Sequence, residues 1–228
     1  MGKNKLKKFA ENETFENMVQ VSRTDILEKG LPQKGKWRQN FFNNDHPLVL
    51  ELGCGKGEYT IGLAKMFPEK NFIGIDVKGA RMWRGARTAS DNLMQNVGFL
   101  RTQIELLQSC FEKGEVNEIW ITFPDPQIKY RRRRKRLTAP NMLSMYASIL
   151  AEDASLHLKT DSQFLHGYTL GVIDGYDHQV LEAMYDIDKQ NPDNQLLQIK
   201  TNYEEIFRQK GLPITYIKFR LNEGNIKD

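Results

Sequence analysis

The chain has 228 residues, 39% of them hydrophobic and 10% aromatic, which supplies one compact core, leaves little room for a second full domain and excludes wholesale disorder. No run of about 18 apolar residues occurs, and the charged stretch from Met1 to Lys8 lacks the apolar core of a secretory signal, so a soluble cytoplasmic protein with no membrane association is expected. Net charge is +4, yet KYRRRRKR from Lys129 to Arg136 alone carries seven positive charges, so the rest of the chain is mildly acidic and the basicity is local.

Residues 1 to 15, with Lys3, Lys5, Lys7 and Lys8 and few apolar anchors, read as a basic mobile tail, and residues 16 to 228 as a single domain. From Pro47 onward short β-rich runs alternate with longer stretches of helical period, the pattern of a parallel sheet with crossover helices. Strands are expected over 47–52, 71–76, 97–101, 117–123 and 154–159, and helices over 58–67, 79–95, 103–112, 140–152 and 162–174. After Gly175 the pattern changes to a strand over 177–187, a polar excursion over 188–200, a short helix and a final strand over 213–221. The fold class is therefore α/β, a doubly wound, mostly parallel sheet with an antiparallel C-terminal edge.

The strongest local signal is ELGCGKGE, Glu51 to Glu58, where the first expected strand hands over to the first helix. Gly53, Gly55 and Gly57 allow a sharp turn and the approach of a ligand where a Cβ would clash. A dinucleotide fingerprint wants its third glycine at position 58, and Glu58 there sets a carboxylate near a pyrophosphate, which argues against nicotinamide or flavin. S-adenosylmethionine carries a sulfonium cation and no phosphate, and Glu51 suits it. Asp76 ends the next strand, where an acidic side chain accepts hydrogen bonds from ribose hydroxyls or, more simply, caps a helix.

Downstream, Thr122-Phe123-Pro124-Asp125-Pro126 holds an aspartate between two prolines at the carboxyl edge of the sheet. Asp125 is placed to accept the N1 and N2 protons of a guanine and leave N7 free, and attack from N7 on a sulfonium methyl requires alignment more than proton removal. Lys129 and the arginine run follow at once, a basic rim suited to a nucleic acid backbone, with Tyr130 available to stack. Asp161 ends the fifth strand and either meets the substrate or caps the next helix, and Thr201-Asn202-Tyr203-Glu204 has the form of a capping box. The two cysteines and four histidines are scattered without metal-ligand spacing, so free thiols and no metal site are expected.

In this order the segments LELGCGKGE, NFIGIDVKGAR, TFPDPQIKYRRRRKRL, LKTD and TNYEEIFRQKGLPI resemble the tRNA (guanine-N7)-methyltransferase family of Rossmann-like class I methyltransferases, from Lys5 to about Leu221. The resemblance implies methyl transfer from S-adenosylmethionine to a guanosine N7 in the tRNA variable loop. It implies that Glu51, Gly53, Gly55, Gly57, Asp76, Thr102 and Asp125 line the cofactor site, with Asp125 also catalytic. It further implies that Lys129, Asp161, Thr201, Asn202, Tyr203 and Glu204 contact tRNA, and that the enzyme works as a monomer or homodimer. Where the family usually carries tryptophan after the second proline, this chain has Gln127. A non-catalytic RNA-binding scaffold, or a methyltransferase with a protein or small-molecule substrate, stands as the alternative.

Overall fold

The computed structural model describes residues 2–222, and of residues 2–4, 202 and 203 the backbone alone. Seven of its strands reproduce the expected runs to within a few residues: β2 (Leu48–Leu52), β3 (Asn71–Asp76), β4 (Val97–Arg101), β5 (Val116–Thr122), β6 (Leu150–Thr160), β7 (Gln179–Met184) and β8 (Thr215–Arg220). An eighth, β1 (Met18–Gln20), pairs in parallel with β4 and is not among the expected runs, since three residues carry no readable period. The sheet order is β1-β4-β3-β2-β5-β6-β8-β7. All pairings from β1 to β6 are parallel, whereas β8 runs antiparallel to both β6 and β7.

Helices cover both faces, as a parallel sheet with apolar strands requires. On one side α3 (Glu58–Met66) and α4 (Gly79–Asp91) bury Tyr59, Leu63, Met82 and Ala86 against Phe72, Phe99 and Trp120. On the other, α5 (Leu107–Cys110), α6 (Pro140–Ala147) and α7 (Gln163–Gly175) close over Leu50, Ile73, Ile119, Leu156 and Leu158. The expected helix over 103–112 is divided, with a short tight turn (Ile104–Leu106) leading into α5.

The first 15 residues differ from the reading of a mobile tail. Gly2–Asn12 forms helix α1, which packs on α4. Asn12 is fully buried and its Nδ2 donates to the Gly79 carbonyl at 2.9 Å, Glu11 pairs with Arg87 at 3.2 Å, and Lys8 lies 4.4 Å from the Trp83 ring. The anchors are polar and charged, so a count of apolar residues passes over them. Between α1 and β2 lie α2 (Arg23–Lys29) and one wide turn (Trp37–Phe42) that seats the fully buried Trp37 on Phe111. Strands β2 and β5 are neighbours, and the chain winds outward from them in both directions. Their carboxyl ends are thus the point where the order reverses, the crevice in which ligands of such sheets bind.

Candidate active site

Glu51 lies inside β2 and is only 3% exposed. Three donors hold the carboxylate: the Thr60 amide reaches Oε2 at 2.8 Å, the Thr60 hydroxyl donates to the same oxygen, and the Thr122 hydroxyl donates to Oε1 at 2.7 Å. Burial pushes the Glu51 carboxyl up to about 7, with the Asp76 charge adding to the rise and the three hydrogen bonds working against it. A carboxylate so placed, hydrogen-bonded but in no ion pair among the described residues, favours a positively charged guest.

The turn after β2 is fastened to β3. The amides of Gly53 and Cys54 both donate to the Ile75 carbonyl, at 2.8 and 3.0 Å, and the Gly55 amide donates to Asp76 Oδ2 at 3.0 Å. Asp76 Oδ1 accepts from the Lys78 amide at 2.8 Å, so this carboxylate shapes the turn as well as facing the crevice. All three glycines are left-handed, at φ 79, 56 and 73°. They serve different ends: a Cβ on Gly53 would meet nothing within 4 Å, which leaves room for a ligand, whereas on Gly57 it would lie 2.5 Å from the Phe99 ring. Gly57 makes a close helix-to-sheet contact. Cys54 is buried in the same turn, and burial with the charges of Glu51 and Asp76 raises its thiol well above the usual range, so it stays protonated and inert.

These groups enclose a cavity of about 410 Å³ lined by Glu51, Gly53, Gly55, Asp76, Phe123 and Thr201. Its size, the open face over Gly53 and a buried carboxylate fit a nucleoside bearing a cationic amino acid tail. Thr102, by contrast, is buried beside Cys110 and does not line the cavity.

The loop after β5 forms the other wall. Phe123 lines the cavity with a left-handed backbone at φ 47°, an unfavourable conformation for a side chain of its size, and its amide donates to the Lys159 carbonyl at 2.8 Å. Asp125 is exposed two residues further on, and its Oδ1 accepts from the Gln127 amide at 3.0 Å. Gln127 is also left-handed, at φ 46°, and its carbonyl accepts from Arg136 Nε and Nη2 at 3.3 and 3.2 Å. Position 127 thus works through its backbone, tying Asp125 to the end of the arginine run. Arg136 is buried, 4.8 Å and 4.2 Å from the rings of Phe164 and Tyr168, and belongs to the scaffold. Lys129 is exposed at the start of the tight turn Tyr130–Lys135, which is exposed throughout.

Beyond the one-turn helix α8 (Ile187–Gln190), Thr201 begins α9 (Asn202–Gln209), its hydroxyl accepting from the Glu204 amide at 3.1 Å, and it lines the cavity as well. Capping and site-lining hold together at this residue. The side chains of Asn202 and Tyr203 lie outside the described residues. Glu204 departs from the expected substrate contact: it is fully buried, with Oε2 on Lys159 Nζ at 2.8 Å and Oε1 on Arg208 at 2.8 and 2.9 Å. Asp161 follows β6 half-buried, and its burial raises the carboxyl above the usual range.

Four residues of the site escape a reading of the sequence: Thr60 and Thr122, which clamp Glu51, Arg81, which lines the cavity, and Lys159. Thr60 and Thr122 come from α3 and β5, nine and 71 residues from Glu51, and threonines at those separations form no pattern. Lys159 stands in LKTD beside Asp161, and a lysine inside an apolar strand is the available signal.

Residues 45–217 match the family model described as a putative methyltransferase. The chain is 55% identical to the tRNA (guanine-N(7)-)-methyltransferase of Christiangramia forsetii over 96% of its own length and 98% of that protein. It is 53% identical to the enzyme of the same name from Porphyromonas gingivalis, over 92% and 87%, and 38% identical to that of Listeria monocytogenes, over 84% and 87%. Among solved structures, the 16S rRNA methyltransferase KamB superposes with a TM-score of 0.63 at 14% identity, covering 90% of this chain and 95% of that one. A SAM-dependent methyltransferase from Aquifex aeolicus superposes at 0.54 with 12% identity, covering 89% and 100%. These two likenesses establish the doubly wound methyltransferase fold. With relatives this similar along nearly the whole length, and with the glycine turn, the acidic pair and the Asp125 loop meeting in one crevice, the chain belongs to the tRNA (guanine-N(7)-)-methyltransferase family.

Proposed function

We propose that this protein transfers the methyl group of S-adenosylmethionine to N7 of a guanosine in the tRNA variable loop, as a cytoplasmic monomer or homodimer. The observation that carries the reading is that a cavity walled by the buried Glu51 and by Asp76 opens beside the exposed Asp125 and a run of exposed cations. Glu51, Gly53, Gly55 and Asp76 would hold the cofactor, which supplies an electrophilic methyl on a sulfonium centre. Glu51 matches the positive charge at that end of the ligand, while Asp76 offers a carboxylate to hydroxyl donors.

On the substrate side Asp125 would accept the N1 and N2 protons of the guanine and so turn N7 toward the cavity. N7 carries its own lone pair, and the role of the protein is to align and desolvate it. Phe123, two residues before Asp125, lines the cavity and joins it to the loop that carries Asp125. Lys129 and the tight turn after it would take the backbone phosphates. A groove of about 610 Å³ continues from there, lined by Arg133, Arg134, Asn141, Ser144, Tyr168 and Tyr176, and this mixture of cations, amide and rings suits nucleotides flanking the target. No helix among the described residues is long and apolar enough to cross a membrane.

The test is transfer of labelled methyl from S-adenosylmethionine to unmodified tRNA, followed by chemical cleavage specific for 7-methylguanosine. Cleavage at a variable-loop guanosine is expected. Methyl transfer without that cleavage would discard the target atom, and tRNA binding without any transfer would favour an RNA-binding scaffold.

A further inference from the structure

The mechanism above leaves the buried charge of Lys159 without a task. Lys159, at the carboxyl end of β6, is 0% exposed, and its ammonium spends all three protons on one segment of chain: the carbonyls of Leu197 and Ile199, at 2.6 and 3.0 Å, and Glu204 Oε2 at 2.8 Å. Burying an ammonium in this way is expensive, and an apolar residue would fill the same space more cheaply. The segment it grips has other holds. The Tyr59 hydroxyl donates to the Leu196 carbonyl at 2.9 Å, and Gly62 leaves room for Ile199, whose Cγ2 would lie 2.5 Å from any Cβ there. These holds fix where the segment crosses α3 but not how its end meets the crevice.

Lys159 also touches the opposite wall. Its own carbonyl accepts the Phe123 amide at 2.8 Å, and Phe207 of α9 stacks on the Phe123 ring at 6.0 Å. One residue thus ties the loop that carries Asp125 to the segment that carries Thr201. We propose that Lys159 is a positioning residue for tRNA: it pins residues 194–209 against the loop after β5, so that Thr201 and the start of α9 are set at the mouth of the cavity before the substrate arrives. Glu204 is then the counterpart of the pin. Its role is to anchor the segment, whose Thr201 lines the cavity.

The proposal rests on the reading of Thr201 and its neighbours as part of the tRNA side, and its test separates the two. In Lys159→Met, amide exchange over residues 194–209 is expected to quicken while β2 to β5 exchange as in the wild type. The KM for tRNA should rise about tenfold or more, the effect of losing hydrogen bonds to a charged group, with kcat held within roughly threefold. A direct phosphate contact predicts something else, a slope of log affinity against log salt that falls by about 0.7 to 0.9; a pin leaves that slope unchanged. If Lys159→Met does not fold, Glu204→Gln keeps the shape and weakens the grip, and a smaller rise in KM with the same local exchange is expected. Unchanged exchange and KM in the variant that folds, or a reduced salt slope, would overturn the proposal. Failure of the wild-type protein to methylate tRNA would remove the functional reading while the exchange experiment still reports on the pin.

Discussion

On the β2–β3 side of the carboxyl edge, Glu51 is enclosed by Thr60 and Thr122, and the glycine turn is fastened to Ile75 and Asp76 by three backbone amides. On the β5–β6 side, Asp125 and Lys129 stand exposed on a loop held by the Gln127 backbone and by Arg136. On the proposed function, the difference follows from what each side would meet. A small ligand of fixed shape is bound best by groups whose hydrogen bonds are complete beforehand, because little ordering is left to do on binding. A folded RNA brings its own surface, most of it phosphate, and is met by accessible cations and an accessible carboxylate on a stiffened loop.

The largest effect should come from the exposed side. Asp125→Ala is expected to lower kcat by about 10² to 10³, the usual consequence of losing a group that orients the reacting atom, while the melting temperature barely moves because one exposed hydrogen bond is removed. Single-turnover methyl transfer beside thermal unfolding checks this, and a large loss of stability would erase the contrast between the two sides. The converse holds at Gly57, where alanine must adopt φ 73° and force its Cβ to within 2.5 Å of Phe99. A loss of roughly 2 to 5 kcal/mol is expected by denaturant unfolding.

Glu51 sharpens the comparison through pH. Its carboxyl sits at about 7 in the folded protein against an ordinary 4.5, so between those values the native state keeps a proton that the unfolded chain releases. Without cofactor, stability should therefore fall as pH rises through this window, by roughly 3 kcal/mol at about 1.4 kcal/mol per unit, and affinity for the cationic cofactor should rise over the same range. Glu51→Gln is expected to flatten both profiles and weaken cofactor binding about tenfold by calorimetry. A wild-type affinity that does not change between about pH 6 and 8 would deny Glu51 its place beside the sulfonium end. The smallest effect belongs to the groove: Arg133→Ala with Arg134→Ala should weaken tRNA binding a few fold and lower the salt slope by about 0.7 to 0.9 for each phosphate that is no longer neutralised, with cofactor affinity untouched.

Much of the frame is legible in the chain. The strands from Leu48 to Arg101 and the turn between Glu51 and Glu58 follow from period, glycine placement and apolar runs, all of which act over a few residues. The helix Gly2–Asn12 reads as a tail because its seat on α4 depends on a polar side chain, Asn12, whose partner lies 67 residues away. Arg136 counts in the sequence as one more cation of a solvated run, and only the rings of Phe164 and Tyr168 that enclose it make it part of the scaffold.

The same division runs through the site. Sequence by itself determined which residue types stand at the ends of which strands, because glycine placement, strand periodicity and local charge are properties of short segments. The tertiary structure alone decided that Thr60 and Thr122 clamp Glu51, that Thr102 is buried outside the lining of the cavity, and that Glu204 serves Lys159 in the interior. Those assignments depend on contacts between segments 9 to 71 residues apart, where the distance along the chain carries no information about the distance in space.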